Sequence, residues 1–328
     1  MKIKSLLIAV AALLVSVSVS AQDAVNDVKK MYNEAVALVK AKNYAEALPI
    51  LEKAADEALN NDVMEVFEGA QKLIPTRYFR VGLGLVNTDT EAALANLNKA
   101  DELALLYSDA KTSRQAKAAI SKVYKMMGAN AFNNKQYAEA AVVFAKGYEA
   151  NPQDTDLALN LAMSYCESQD WENGVKVYTD IIALESRHSK FAEPAAEAKK
   201  ALSNYLLVKA QDENAAGNKE AAYATLEILV NADQTNAENQ MFRLQMAGQN
   251  QDWDKIIEWA ELAAAFQMTP EGVSDVYYLL GAAYDSKNLN AEAIAAYKQV
   301  TAGDKLEVAT ARAKELDEFI KAEAAAKK

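Results

Sequence analysis

The chain of 328 residues is poor in the residues that break helices and in those that do chemistry: 11 Gly, 5 Pro, one Cys and one His. Scarce Gly and Pro exclude a turn-rich β architecture, because each short strand would need its own turn residues. A single thiol, Cys166, excludes an intramolecular disulfide. One histidine, His188, excludes the paired-His zinc motifs, and no Walker string or Gly-x-Ser-x-Gly elbow occurs. No enzyme, metal or cofactor is expected. Aromatics are only 8% although hydrophobic residues reach 51%. The excess is alanine, the residue of closely packed helices. Basic residues are outnumbered, 35 against 46 acidic, for a net charge of −11. That balance argues against nucleic acid and anionic lipid as partners, both of which need Lys and Arg clusters.

The N-terminus is the exception. Lys2 and Lys4 precede an apolar run from Leu6 to Val15, and Val19-Ser20-Ala21 then stands before Gln22. This reads as a secretory signal peptide over residues 1–21, cut after Ala21. The run is shorter than the roughly 20 residues a spanning helix needs, and no later run is long enough, so no integral membrane segment is expected in the mature chain. The expected address is the periplasm of a Gram-negative bacterium, with secretion or the cell surface as alternatives. An exported chain without disulfides fits that setting.

What is abundant is repetition. Over residues 122–186 Gly128 answers Ala162, Tyr137 answers Trp171, Ala140 answers Gly174 and Phe144 answers Tyr178, each 34 residues on. Such a period means stacked helical hairpins, none able to bury its apolar face alone. An earlier unit spans residues 28–58, where Ala47, Leu51 and Ala54 share a helix face. Pro49 is tolerable there only in a first turn, and Pro75 predicts a helix end after 62–74. Gly82 to Gly84 falls inside a helix by register, against a phosphate loop. After a loop-like segment near 187–194 the register returns, since Ala210 to Leu244 and Leu226 to Ala260 are again 34-residue steps. Steps of about 46 to 48 elsewhere predict longer helices. Residues 306–328 read as one amphipathic helix with a charged outer face, fit to cover the end of an open stack.

These residues resemble the tetratricopeptide repeat (TPR) family over about residues 28–305. The match runs through Tyr124, Met127-Gly128, Tyr137, Ala140, Phe144 and Pro152, then Leu161-Ala162, Tyr165, Trp171 and Tyr178. It runs again through Tyr277, Leu280-Gly281, Tyr284, Ala293 and Tyr297. Arg243-Leu244 departs from the Leu-Gly pair. The resemblance implies an all-α, right-handed α-solenoid of six to seven hairpins over 22–305, with a possible subdivision near 187–194 and a C-terminal capping helix. It implies a non-enzymatic scaffold that binds a protein or peptide partner in a groove lined by first helices. Groove candidates in that register are Tyr32, Val36 and Val39, then Phe79 and Leu83, then Lys125, Ala129 and Phe132. They continue through Leu159, Met163 and Cys166, then Gln211, Met241 and Gln245, and finally Tyr278 and Asp285. Lys125 stands where some members hold a carboxylate, but Ala129 replaces the companion Asn, so that activity is not implied. The alternative is a small-ligand or glycan-binding module of the cell envelope using Tyr278, Gln211 and Gln245. The long helices filling the groove themselves is the third reading. As for Cys166 and His188, a buried structural thiol and a solvated loop side chain are the readings preferred to nucleophile and metal ligand.

Overall fold

A computed structural model describes residues 20–326, so residues 1–19 of the leader expected over 1–21 lie outside the described residues. Fifteen α-helices and no strand occur among them. The first eight are α1 (Ser20–Lys40), α2 (Tyr44–Asn60), α3 (Met64–Leu85), α4 (Thr90–Leu106), α5 (Ala110–Asn133), α6 (Tyr137–Ala150), α7 (Thr155–Glu167) and α8 (Trp171–Ala183). Two short 3-10 turns at 184–186 and 189–191 lead to α9 (Ala192–Ala215), α10 (Lys219–Ala232), α11 (Ala237–Gln249) and α12 (Trp253–Ala265). The chain closes with α13 (Pro270–Ser286), α14 (Asn290–Tyr297) and α15 (Leu306–Ala326). Two compact units divide inside α7, at Ser164/Tyr165. Each is a stack of antiparallel helix pairs, and the chain is an all-α solenoid.

The turn chemistry explains the pairing. Lys42, Lys135, Gln169, Gly217, Gln251 and Asn288 all have φ between +56° and +82°. Each sits two residues before the first residue of a second helix, where one left-handed residue reverses the chain. Only Gly217 takes this conformation without steric cost. Its absent Cβ would meet nothing within 4 Å, so Gly217→Ala should lower stability through the backbone alone, by about 1–2 kcal/mol. Urea denaturation checks this; an unchanged midpoint would show that the turn relaxes.

Second helices start at 44, 90, 137, 171, 219, 253 and 290. The long steps are absorbed by first helices: α3, α5 and α9 have 22, 24 and 24 residues, against 13 in α7 and α11. The expected helix end at Pro75 is overturned, because α3 runs through it to Leu85. Ile74 and Pro75 are buried, and the Thr76 hydroxyl donates to the Leu73 carbonyl at 2.8 Å. Burial of Pro75 and its neighbour Ile74 offsets the lost backbone bond, whose isolated cost is about 3 kcal/mol. Pro49 likewise lies beyond the first turn of α2.

Small residues let the paired helices touch. A Cβ at Gly128 would stand 2.5 Å from the Phe144 ring, one at Gly281 2.6 Å from the Tyr297 ring, and one at Gly82 2.8 Å from Leu97. Cores follow from this approach. In the first unit Ala35, Leu51, Ala70 and Ile74 form one; in the second, Leu244, Ala247, Ile256, Ala260 and Leu280 form another. At the C-terminal end α15 buries Ala309, Ala313 and Leu316 against Ile294, Tyr297 and Val300. Arg312 fixes it to α13 by a two-pronged bond to Asp285, at 2.7 and 3.0 Å.

Candidate binding cleft on the first-helix face

In the second unit α9 and α11, first helices of successive pairs, lie side by side and are joined where Ser203 donates to Asn239 at 2.9 Å. Near their C-terminal ends they border a cleft of about 250 Å³. Gln211, Asn214 and Ala215 line it from α9; Phe242, Gln245, Met246 and Gln249 line it from α11. Helical spacing places these residues together, because positions three or four apart share a face. The 34-residue step then sets Gln245 beside Gln211.

The lining contains four carboxamides and no charged group. One of them is fixed from behind. Asn250 donates to the Asn214 side-chain oxygen at 2.7 Å and to the Tyr223 hydroxyl at 3.1 Å. With its oxygen engaged, Asn214 keeps its amide N–H groups for other acceptors. Gln211, Gln245 and Gln249 supply both donors and acceptors beside the half-buried Phe242 ring. A ligand with peptide or hydroxyl groups is matched by such a wall, whereas an ionic group would find no counter-charge.

The other register candidates have different surroundings. Tyr32 is wedged over Gly69, with its hydroxyl 2.5 Å from where a Cβ would stand. Phe79 packs on Leu97, Ile120 and Val123, and Val39 packs on the core around Ala35. Val36, Ala129 and Met163 are half-buried, and Leu83 is exposed. Lys125 is tied to Asp156 at 2.8 Å. Phe132 meets Tyr137 edge-on at 5.0 Å, and Leu159 is buried. Met241 packs on the core of Leu244 and Ile256. Tyr278 lies against Tyr297, with Lys305 over its ring at 5.9 Å, and Asp285 is held by Arg312. Of the candidates, the structure therefore brings Gln211 and Gln245 into one cleft.

Asn214, Phe242 and Gln249 were missed by register reading alone. The signal for them was present: each is three or four residues from Gln211 or Gln245. Cys166 and His188, the remaining chemical candidates, lie apart from this cleft. Cys166 is buried, and burial together with Glu167 and Asp170 pushes its thiol up to about 12, far from a thiolate at neutral pH. His188 is exposed and accepts the Lys190 N–H at 3.0 Å. Gly82 and Gly84 lie within α3.

No family model matches the chain, and no curated protein does. Solved structures resemble it. A thermophilic TPR protein of Thermus thermophilus is 20% identical, over 60% of this chain and 98% of its own, with a TM-score of 0.25. The TPR2AB domain of yeast Sti1, in complex with pHSP90, is 14% identical over 89% of this chain and 96% of its own, with a TM-score of 0.28. A tetratricopeptide repeat protein of Parabacteroides merdae is 13% identical over 89% of this chain and 99% of its own, with a TM-score of 0.27. The stacked helical hairpins follow from the hairpin register, the recurring left-handed turn residue and the small-residue approaches of paired helices.

Proposed function

We propose that this TPR-like chain is a non-enzymatic scaffold of the cell envelope that holds a protein or peptide partner on the face built by its first helices. The observation that carries the reading is the uncharged carboxamide cleft between α9 and α11. An extended peptide exposes an N–H and a C=O at every residue, and Gln or Asn side chains can bond both. Each well-placed bond is worth about 0.5–1.5 kcal/mol net, so a pair of glutamines contributes about tenfold or more in affinity. Export is supported by the leader-like residues 1–21, with the Gram-negative periplasm as the first address and secretion or the cell surface as the others.

The test is selection of peptides from a random displayed library on the full chain. Selected peptides should bind the Gln211→Ala/Gln245→Ala variant at least about tenfold more weakly. Equal binding by the variant would remove the cleft from the function. The second reading, a glycan module, is favoured by one observation: the Phe242 ring beside four carboxamides suits a sugar ring and its hydroxyls. A rise in melting temperature with neutral oligosaccharides and none with the selected peptides would make it the better one.

A further inference from the structure

The opposite side of the second unit carries a cleft of a different character. Between the second helices α12 and α14, floored by α13, is a space of about 380 Å³. Tyr277 and Tyr284 lie two helical turns apart on α13 and flank Leu280 on its floor. Both rings rest on the Leu280 and Ala283 core and remain half-buried. Glu261 reaches it from α12 and Glu292 from α14. Both glutamates are exposed, and neither has a cationic partner among the described residues.

Three cations of the neighbouring helices are engaged elsewhere. Lys255 pairs with Glu258, Lys287 with Asp254, and Arg312 with Asp285 and Glu315. The lining holds no Lys or Arg. Two carboxylates without a cationic partner and two tyrosines thus line one recess, negatively biased in a chain that is itself acidic.

From this geometry we infer that the cleft between α12 and α14 binds an organic cation, the guanidinium or ammonium side chain of a basic partner segment. The charged head sits between Glu261 and Glu292, and the apolar stem lies on Leu280, Ala296 and the tyrosine rings. A hard divalent ion is a poor match, since it demands six or more oxygen ligands and gains nothing from an aromatic floor. An organic cation gains from both features: charge attraction at the rim, and ring contact worth about 0.5–2 kcal/mol. Arginine is preferred to lysine, because its planar, weakly hydrated head stacks on a ring. This site goes beyond the scaffold reading and uses other residues, so its failure leaves the carboxamide cleft untouched.

The experiment uses the full chain labelled with fluorotyrosine, with the Tyr277 and Tyr284 signals assigned through Tyr277→Phe and Tyr284→Phe. It is titrated with N-acetyl-arginine amide and, separately, with N-acetyl-citrulline amide, which has nearly the same shape without the charge. Saturating shifts at both tyrosines are expected with the arginine compound, at least about tenfold tighter than with citrulline. Glu261→Gln/Glu292→Gln, two exposed and nearly isosteric changes, should weaken arginine binding at least about fivefold. Raising the salt to about 0.5 M should weaken it in wild type but scarcely in the variant. The inference is overturned if citrulline binds as well as arginine, if the glutamine variant binds as wild type does, or if no saturable shift develops by about 50 mM.

Discussion

Phe144→Ala should destabilise the α5/α6 hairpin by about 3–5 kcal/mol, the range for truncating a fully buried phenylalanine. Phe144 is 1% exposed, and its ring lies where any side chain on Gly128 would have to go, 2.5 Å from that missing Cβ. The two positions are therefore coupled, and the coupling gives the sharper test. In the wild-type background Gly128→Ala overpacks the contact, at about 1–3 kcal/mol, of which the better helix propensity of Ala returns about 1. With Phe144 already truncated, the same substitution has room and should become neutral or stabilising by up to about 1 kcal/mol. Stacked repeats open partly independently, so amide hydrogen exchange in α5 and α6 is the suitable readout. Additive effects in the double mutant would mean that the close approach of these helices does not depend on glycine.

Arg243→Met should raise stability by about 1–4 kcal/mol, as replacing buried charge by an apolar side chain of similar length often does. Arg243 is 6% exposed, and its Nε and one terminal nitrogen have no hydrogen-bond partner. Its guanidinium lies 5.0 Å from the Trp259 ring centre. Burial lowers its pKa, opposed by the more distant Glu258 and Glu227. One turn back on α11, the side-chain oxygen of the fully buried Gln240 is also unpaired. Methionine fills the slot without donors, at a register position held by Met127, Leu161 and Leu280 in other repeats. The check is the midpoint of urea denaturation; a loss of more than about 1 kcal/mol would show that the guanidinium is satisfied, for example through ordered water.

The hairpins themselves were legible in the sequence. Gly128 with Phe144 and Gly281 with Tyr297 mark helix contacts sixteen residues apart, and both contacts are present. Turn aromatics Tyr137, Trp171 and Trp253 each open a second helix. Pro75 misled, because a local signal for ending a helix was outweighed by burial on α3 that only neighbouring helices supply. The same limit governed the candidate groove. Tyr32, Phe79 and Tyr278 stand at register positions like those of Gln211 and Gln245, yet packing on Gly69, Leu97 and Tyr297 occupies them.

By itself the sequence determined the all-α repeat, its turns and its small-residue contacts, since these depend on backbone conformation and on residues close along the chain. The tertiary structure alone decided that Gln211 on α9 and Gln245 on α11 share one carboxamide-lined cleft. It alone set Glu261 and Glu292, without cationic partners among the described residues, around the same cleft as Tyr277 and Tyr284. Whether a helix face is covered depends on how closely the next helix approaches, and that distance is set by packing between elements far apart in the chain.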